Sequence, residues 1–259
     1  MKKMPFFVLL SVALCLTKVY AEPASSQSNV SAAADSILLQ ITTTDGELIS
    51  YPVSKIDRMT FDAADPAASH EAVDLGLSVK WAACNVGAEN PEDDGDYYIW
   101  GETKPQSTYD WSTYKWCYGS DTTLIKYCTD NSYGAVDKRT TLELSDDVAH
   151  VKWGDNWRMP TDNELNELIN NCTWTWTTQN GKNGYKITSK TNGNSIFLPA
   201  AGCRNGSRLE DAGSLGCYWT SSLDASSPEY AYYLDFHSDD ARVICSTRAF
   251  GQTVRPVTE

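Results

Sequence analysis

Side chains able to do chemistry are plentiful in this 259-residue chain, but they are scattered. Cys84, Cys117, Cys128, Cys172, Cys203, Cys217 and Cys245 follow an eighth cysteine, Cys15. None stands in a Cys-x-x-Cys pair, the spacing that would bring two thiolates to one zinc ion. His70, His150 and His237 are isolated, each without a second histidine at metal-ligand spacing. No Gly-x-Ser-x-Gly elbow, phosphate loop or dinucleotide fingerprint occurs. Glu102 and Asp235 offer carboxylates for acid–base work, yet nothing in their spacing sets the separation that glycoside hydrolysis needs. These residues point away from an enzyme and imply no cofactor and no metal.

Recognition is the chemistry that the residue types do favour. Nine tryptophans and fourteen tyrosines include a run, Tyr109, Trp111, Tyr114, Trp116 and Tyr118, set in a polar segment without a strand period. Exposed rings stack on sugar faces while neighbouring Asp, Asn and Ser side chains bond hydroxyls, so Trp111, Tyr114, Trp116 and Tyr118 are the candidate ligand-binding residues. The competing expectation is that these rings fill a core beneath a long loop. An acidic chain, formally −13, repels phosphate backbones and anionic lipid, which excludes nucleic-acid binding and electrostatic membrane docking.

The first 21 residues read as an export signal: Lys2 and Lys3, an apolar stretch from Phe6 to Leu16, then Val19-Tyr20-Ala21 as a cleavage site. The stretch is too short to span a bilayer. Loss of Lys2, Lys3 and Lys18 takes the basic residues from 21 to 18 against 34 acidic, or −16. A lipoprotein anchored through Cys15 is the alternative, disfavoured by bulky Leu14 before it. In an oxidising compartment Cys117 with Cys128, and Cys203 with Cys217, are disulfide candidates, each worth ~3 kcal/mol if unstrained. Seven is odd, so one thiol at least stays unpaired within the chain, and simple apolar burial of several competes with pairing.

Residues 22–36 read as a flexible linker, 37–61 as a small β-rich prefix, 62–72 as a second linker and 73–259 as the main domain. In the prefix, β-branched residues from Ile37 to Thr43 and a return from Glu47 to Tyr51 flank Asp45-Gly46, a hairpin turn signal, with Met59 to Phe61 as a third strand. Val73 to Trp81 alternates apolar with polar and predicts one half-buried strand. Tyr97 to Trp100 predicts a core strand. Thr161-x-x-Glu164 is a capping box, with Leu165, Leu168, Ile169 and Cys172 on one face, so a helix starts at Asp162; Arg158 ahead of it has a structural role. Trp174 and Trp176 alternate with threonines. Tyr185–Lys190 and Ser195–Leu198 flank Asn192-Gly193 as a two-residue hairpin; Tyr230, Tyr232, Leu234 and Phe236 share one face; Arg242–Ser246 and Thr253–Val257 close the sheet. Antiparallel strands with a packed helix make the class α+β.

Five phrases carry a family resemblance: Tyr97-Tyr98-Ile99-Trp100-Gly101-Glu102, Trp157-Arg158-Met159-Pro160-Thr161, Phe197-Leu198-Pro199-Ala200-Ala201-Gly202, Tyr218-Trp219-Thr220-Ser221-Ser222 and Val254-Arg255-Pro256-Val257. In order and content they resemble the secreted bacterial major paralogous domain family, FISUMP, over residues 73–257. The resemblance implies a C-type lectin-like fold related to formylglycine-generating enzymes and a secreted or surface location; the β-rich prefix, in turn, resembles one that precedes many domains in secreted proteins of Gram-negative gut bacteria, so the expected location is outside a Gram-negative cell or on its outer surface. It implies no reaction. The Glu-Pro-Asn and Gln-Pro-Asp calcium loops of true C-type lectins are absent, and Trp153-Gly154-Asp155-Asn156 precedes the helix rather than sitting in a late strand. The family's enzyme relatives use a late cysteine pair, whereas Cys245 stands alone. The expectation is a non-enzymatic domain binding a glycan or protein at the cell surface, with a formylglycine-generating-type oxidase and a cell-envelope or fimbria-associated structural subunit as alternatives.

Overall fold

The computed structural model describes residues 38–42, 48–52, 70–154 and 156–259. The chain divides into two units, residues 1–63 and 64–259. In the first, β1 (Leu38–Thr42) pairs antiparallel with β2 (Leu48–Pro52), Thr42 opposite Leu48. The Asp45-Gly46 turn and the third strand at Met59–Phe61 lie outside the described residues.

Among the described residues the second unit is α+β, with four small antiparallel sheets and two α-helices. Its first sheet corrects the expected strand from Val73 to Trp81. β3 (Ala72–Val73) and β4 (Lys80–Ala82) are separate and pair with each other, Val73 opposite Trp81. The chain reverses because the Asp74 carboxylate accepts the Gly76 N–H at 2.7 Å and Gly76 takes φ +67°. Leu75, Val79 and Trp81 are buried all the same. β15 (Val257–Thr258) completes this sheet against β4.

A second sheet runs β10–β9–β14–β5, with β5 Tyr98–Ile99, β9 Cys203–Asn205, β10 Arg208–Glu210 and β14 Gly251–Gln252. The third joins β6 (Cys172–Gln179), β7 (Lys182–Ser189) and β8 (Ser195–Pro199). The turn between β7 and β8 is longer than Asn192-Gly193 alone. Ser189 N–H bonds the Asn194 carbonyl at 2.8 Å, and Ser189 Oγ accepts the amides of Thr191 and Asn192, stabilising a four-residue loop. The fourth sheet is β11 (Gly216–Leu223), β12 (Tyr230–His237) and β13 (Asp240–Thr247). β12 is covered on both faces: Ala231, Tyr233 and Asp235 are buried, and so are Leu234 and Phe236.

Helix α1 (Val148–Trp153) is capped by Asp147, which accepts from Ala149 and His150 amides. Helix α2 (Asp162–Asn171) begins where the capping box predicts: Thr161 Oγ1 accepts Glu164 N–H at 3.2 Å and Glu164 accepts Thr161 N–H at 2.8 Å. Its buried Leu165 and Leu168 pack with Trp81, Leu198, Leu234 and Phe236 in one core cluster. A second cluster holds Tyr98, Trp100, Met159, Trp219 and Val254, and a third Tyr97, Ile99, Tyr109, Tyr114, Cys117, Leu124 and Cys128. Residues Thr253–Pro256 are no sheet strand; they thread between elements, with Trp219 N–H on Thr253 O and Val86 N–H on Val254 O. Among the described residues no helix is long and apolar enough to cross a membrane.

Candidate functional site

Between β5 and α1, residues 102–142 form neither helix nor regular strand, yet the segment is closely pinned. Its backbone amides find side-chain carboxylates where a sheet would supply carbonyls. Buried Glu102 accepts Lys115 N–H at 2.8 Å and Gln106 Nε2 at 2.7 Å; burial raises its pKa. Asp137 accepts Tyr127 and Cys128 amides at 2.9 and 3.0 Å. From below, wholly buried Arg248 donates to the carbonyls of Tyr127 (2.8 Å) and Lys126 (3.0 Å), its guanidinium 5.2 Å from the Tyr114 ring centroid and 5.7 Å from that of Trp100. These bonds hold Tyr127 at φ +57°, unfavourable for a bulky residue.

An ionic cluster sits beside it. Lys126 Nζ lies 2.5 Å from both Asp146 Oδ2 and Glu143 Oε2, and Tyr127 OH donates to Asp146 at 2.6 Å. Burial, with the Asp146 charge beside it, pushes the Tyr127 phenol up to about 12. Lys115 Nζ and Lys126 Nζ stand 4.2 and 4.6 Å from the Trp116 ring centroid, and Trp116 Nε1 donates to Gly101 O at 3.0 Å.

Three short stretches then form a rib. Tyr118 N–H bonds Thr123 O, Ile125 N–H bonds Trp116 O, and Leu124 bridges Gly134 on its other side. Only glycine fits at 134, since a Cβ there would meet Leu124 O at 2.1 Å. Strand alternation turns Cys117 and Leu124 inward and Tyr118 and Ile125 outward. Tyr118 is 81 % exposed.

The four candidate binding residues therefore separate. Tyr114, only 3 % exposed, belongs to the third core cluster and cannot meet a ligand; this corrects its assignment to a binding surface. Trp111 is half-buried, edge-on to Tyr114 at 5.5 Å. Trp116 is half-buried, with two ammonium groups at its ring. Tyr118 alone presents an open ring. Lys115, Lys126, Asp146 and Arg248 were invisible to sequence reasoning, because no spacing rule relates residues 20 to 120 positions apart.

The described cysteines all carry free thiols. The expected Cys117–Cys128 pair is not formed: Cys117 Sγ faces Trp111 O at 3.3 Å, while Cys128 Sγ faces Asp130 O at 3.0 Å. Cys203 and Cys217 are neighbours, Cys203 packing against the cluster that contains Cys217. Glu102 and Asp235 are occupied separately, the latter by Arg242 at 3.1 Å and by Tyr233 OH. His70 stacks on Trp153 at 3.6 Å and burial lowers its pKa; His237 ends β12 in solvent. Among the described residues no group of three or more His, Cys, Asp or Glu converges as a metal ion requires.

The five phrases meet one another. Trp100 Nε1 donates to Thr220 O (2.7 Å), Trp219 Nε1 to Tyr98 O (2.9 Å), and Tyr97 OH to Ala201 O (2.6 Å). Arg158 and Val257 exchange both backbone bonds, Ser221 N–H reaches Pro160 O, and Arg255 donates to Phe197 O. No protein-family profile, no curated protein and no solved structure matches this chain.

Proposed function

We propose that the chain is an exported, non-enzymatic recognition protein of the FISUMP kind, secreted or displayed on a Gram-negative surface. Residues 73–259 then make a C-type lectin-like domain that binds a glycan or protein ligand without calcium. The observation that carries the reading is Tyr118, an 81 % exposed ring on a rib whose base is fixed by Glu102, Asp137 and Arg248. A pre-positioned aromatic loses little entropy on stacking, which is how a small contact becomes useful affinity. Ile125 and Val136, 37 % and 42 % exposed, extend the outward apolar surface on the same loop, and Lys115 and Lys126 supply ammonium groups at the Trp116 ring.

A glycan array with and without chelator, run on wild type, Tyr118→Ala and Trp116→Ala, tests it. Binding should survive chelation and weaken by roughly tenfold in Tyr118→Ala, the loss of about 1 kcal/mol of stacking plus contact area, at unchanged melting temperature. Trp116→Ala should lower stability as well, since its ring packs on two core clusters. Chelator-sensitive binding, or full binding by Tyr118→Ala, sinks the proposal.

A further inference from the structure

Cys203 and Cys217 lie on strands of different sheets, β9 and β11, and the backbone brings them side by side. Gly202 and Gly216 form a parallel bridge, with Gly202 N–H on Leu215 O at 2.7 Å. Each cysteine is the next residue along its own strand, so they share that register. Both positions are closely packed: a Cβ on Gly202 would lie 2.1 Å from Glu210 O, and one on Gly216 2.0 Å from the Phe236 ring. Cys203 packs against the core cluster that holds Cys217, and Cys203 is half-buried while Cys217 is 3 % exposed.

What the pair could hold is equally specific. Cys203 starts the β9–β10 hairpin, whose Gly206-Ser207 turn has glycine at φ +57°. Gly206 exchanges both backbone hydrogen bonds with Tyr109, at 2.9 and 3.0 Å, at the head of the aromatic run. We propose that Cys203 and Cys217 close a disulfide that ties this hairpin to the β11 sheet and thereby anchors the aromatic loop.

The chemistry is exchange with a low-molecular-weight disulfide. Cys203 attacks first: it is the accessible sulfur, and the Cys217 thiol beside it holds its own below the ordinary value despite burial and nearby Glu210, Asp211 and Asp235. Its thiolate displaces one thiolate from the donor and leaves a mixed disulfide. Cys217, whose own pKa is pushed up by the Cys203 thiol beside it and by burial, loses its proton and attacks Cys203 sulfur, expelling the second thiolate. Two protein thiols are oxidised, and one donor disulfide is reduced to two thiols that take up the two protons.

The test uses the full chain equilibrated with oxidised glutathione, alkylated, and digested with trypsin without reductant; Arg204 and Arg208 allow cleavage between the two cysteines. Mass spectrometry should find one cross-linked peptide pair joining Cys203 and Cys217. On reduction, and in Cys203→Ser under either condition, amide exchange at Tyr109 and Gly206 should accelerate at least about tenfold while α2 amides stay unchanged. Alkylation of both cysteines in the oxidised chain, or their linkage to other cysteines, overturns the disulfide. A Cys203–Cys217 bond whose reduction leaves Tyr109 and Gly206 exchange unmoved overturns the anchoring. Neither outcome depends on whether the loop binds a ligand.

Discussion

Arg255 is a buried cation with no carboxylate beside it, and removing it should cost more than any surface change in the chain. It is 1 % exposed, and its guanidinium donates to Asn85 Oδ1 at 2.8 Å, Ala82 O at 3.0 Å, Ala83 O at 2.7 Å and Phe197 O at 2.9 Å. Burial pulls its pKa down to about 10, still far above neutrality, so it stays charged at pH 7 both folded and unfolded. Its acceptors are mostly main-chain carbonyls, which no substitution can delete. A methionine of similar reach therefore recovers the desolvation cost of the cation but takes the donor from three buried acceptors and one part-buried one, at about 1–3 kcal/mol each before water enters. Setting the recovered cost against that gives an expected loss of about 3–5 kcal/mol for Arg255→Met, a large share of an ordinary domain's stability. Urea denaturation followed by tryptophan fluorescence reads it as a lower midpoint at constant slope. Arg255→Lys, with one point charge in place of a planar fork, should lose nearly as much. A loss under about 1 kcal/mol for Arg255→Met would refute the reasoning, because the carbonyl cradle would then be finding partners elsewhere.

Two further outcomes follow from particular contacts. Tyr114 OH is buried without a hydrogen-bond partner, so Tyr114→Phe should be neutral or stabilise by up to about 1 kcal/mol in thermal melts, whereas Tyr114→Ala should cost about 3–5 kcal/mol. Burial alone would raise the Glu164 carboxyl, but bonds from Arg158 and Thr161 outweigh it and hold it below its usual value. Its stabilisation is thus present above the unfolded carboxylate pKa and lost as pH falls through the folded one, so the penalty of Glu164→Gln, about 2 kcal/mol at pH 7, should vanish in acid-series denaturation.

Local signals were legible and long-range ones were not. The capping box placed the start of α2 because both of its halves lie within four residues. Trp174 and Trp176 stand on β6 as their alternation with threonine suggests, edge-on to Tyr185 at 5.2 Å each. The segment from Val73 to Trp81 shows the limit of period alone: Leu75, Val79 and Trp81 bury as an alternating strand would, but Asp74 and Gly76 fold the backbone into a turn. On the aromatic loop, the rings gave no hint of which would be enclosed. That is decided by Arg248, more than 100 residues away, packing against Tyr114 and bonding the Tyr127 carbonyl.

The five phrases and the aromatic loop divide the labour between them. The phrases are one another's hydrogen-bond partners, with the Trp100 and Trp219 indoles crossing from β5 to β11 and Arg255 holding Phe197, so what they encode is a scaffold. Residues 102–142 contribute inward anchors to that scaffold, Tyr109, Tyr114, Cys117, Leu124, Tyr127, Cys128 and Leu142. Their outward positions, Tyr118, Ile125 and Val136, stay exposed. A domain built this way can change what it binds by changing the outward residues of the rib while Glu102, Asp137 and Arg248 keep its base in place. The acidic surplus takes on a structural meaning as well: Asp110, Asp130 and Asp137 each accept a backbone amide two residues on, so part of the negative charge serves loop geometry rather than a cationic partner.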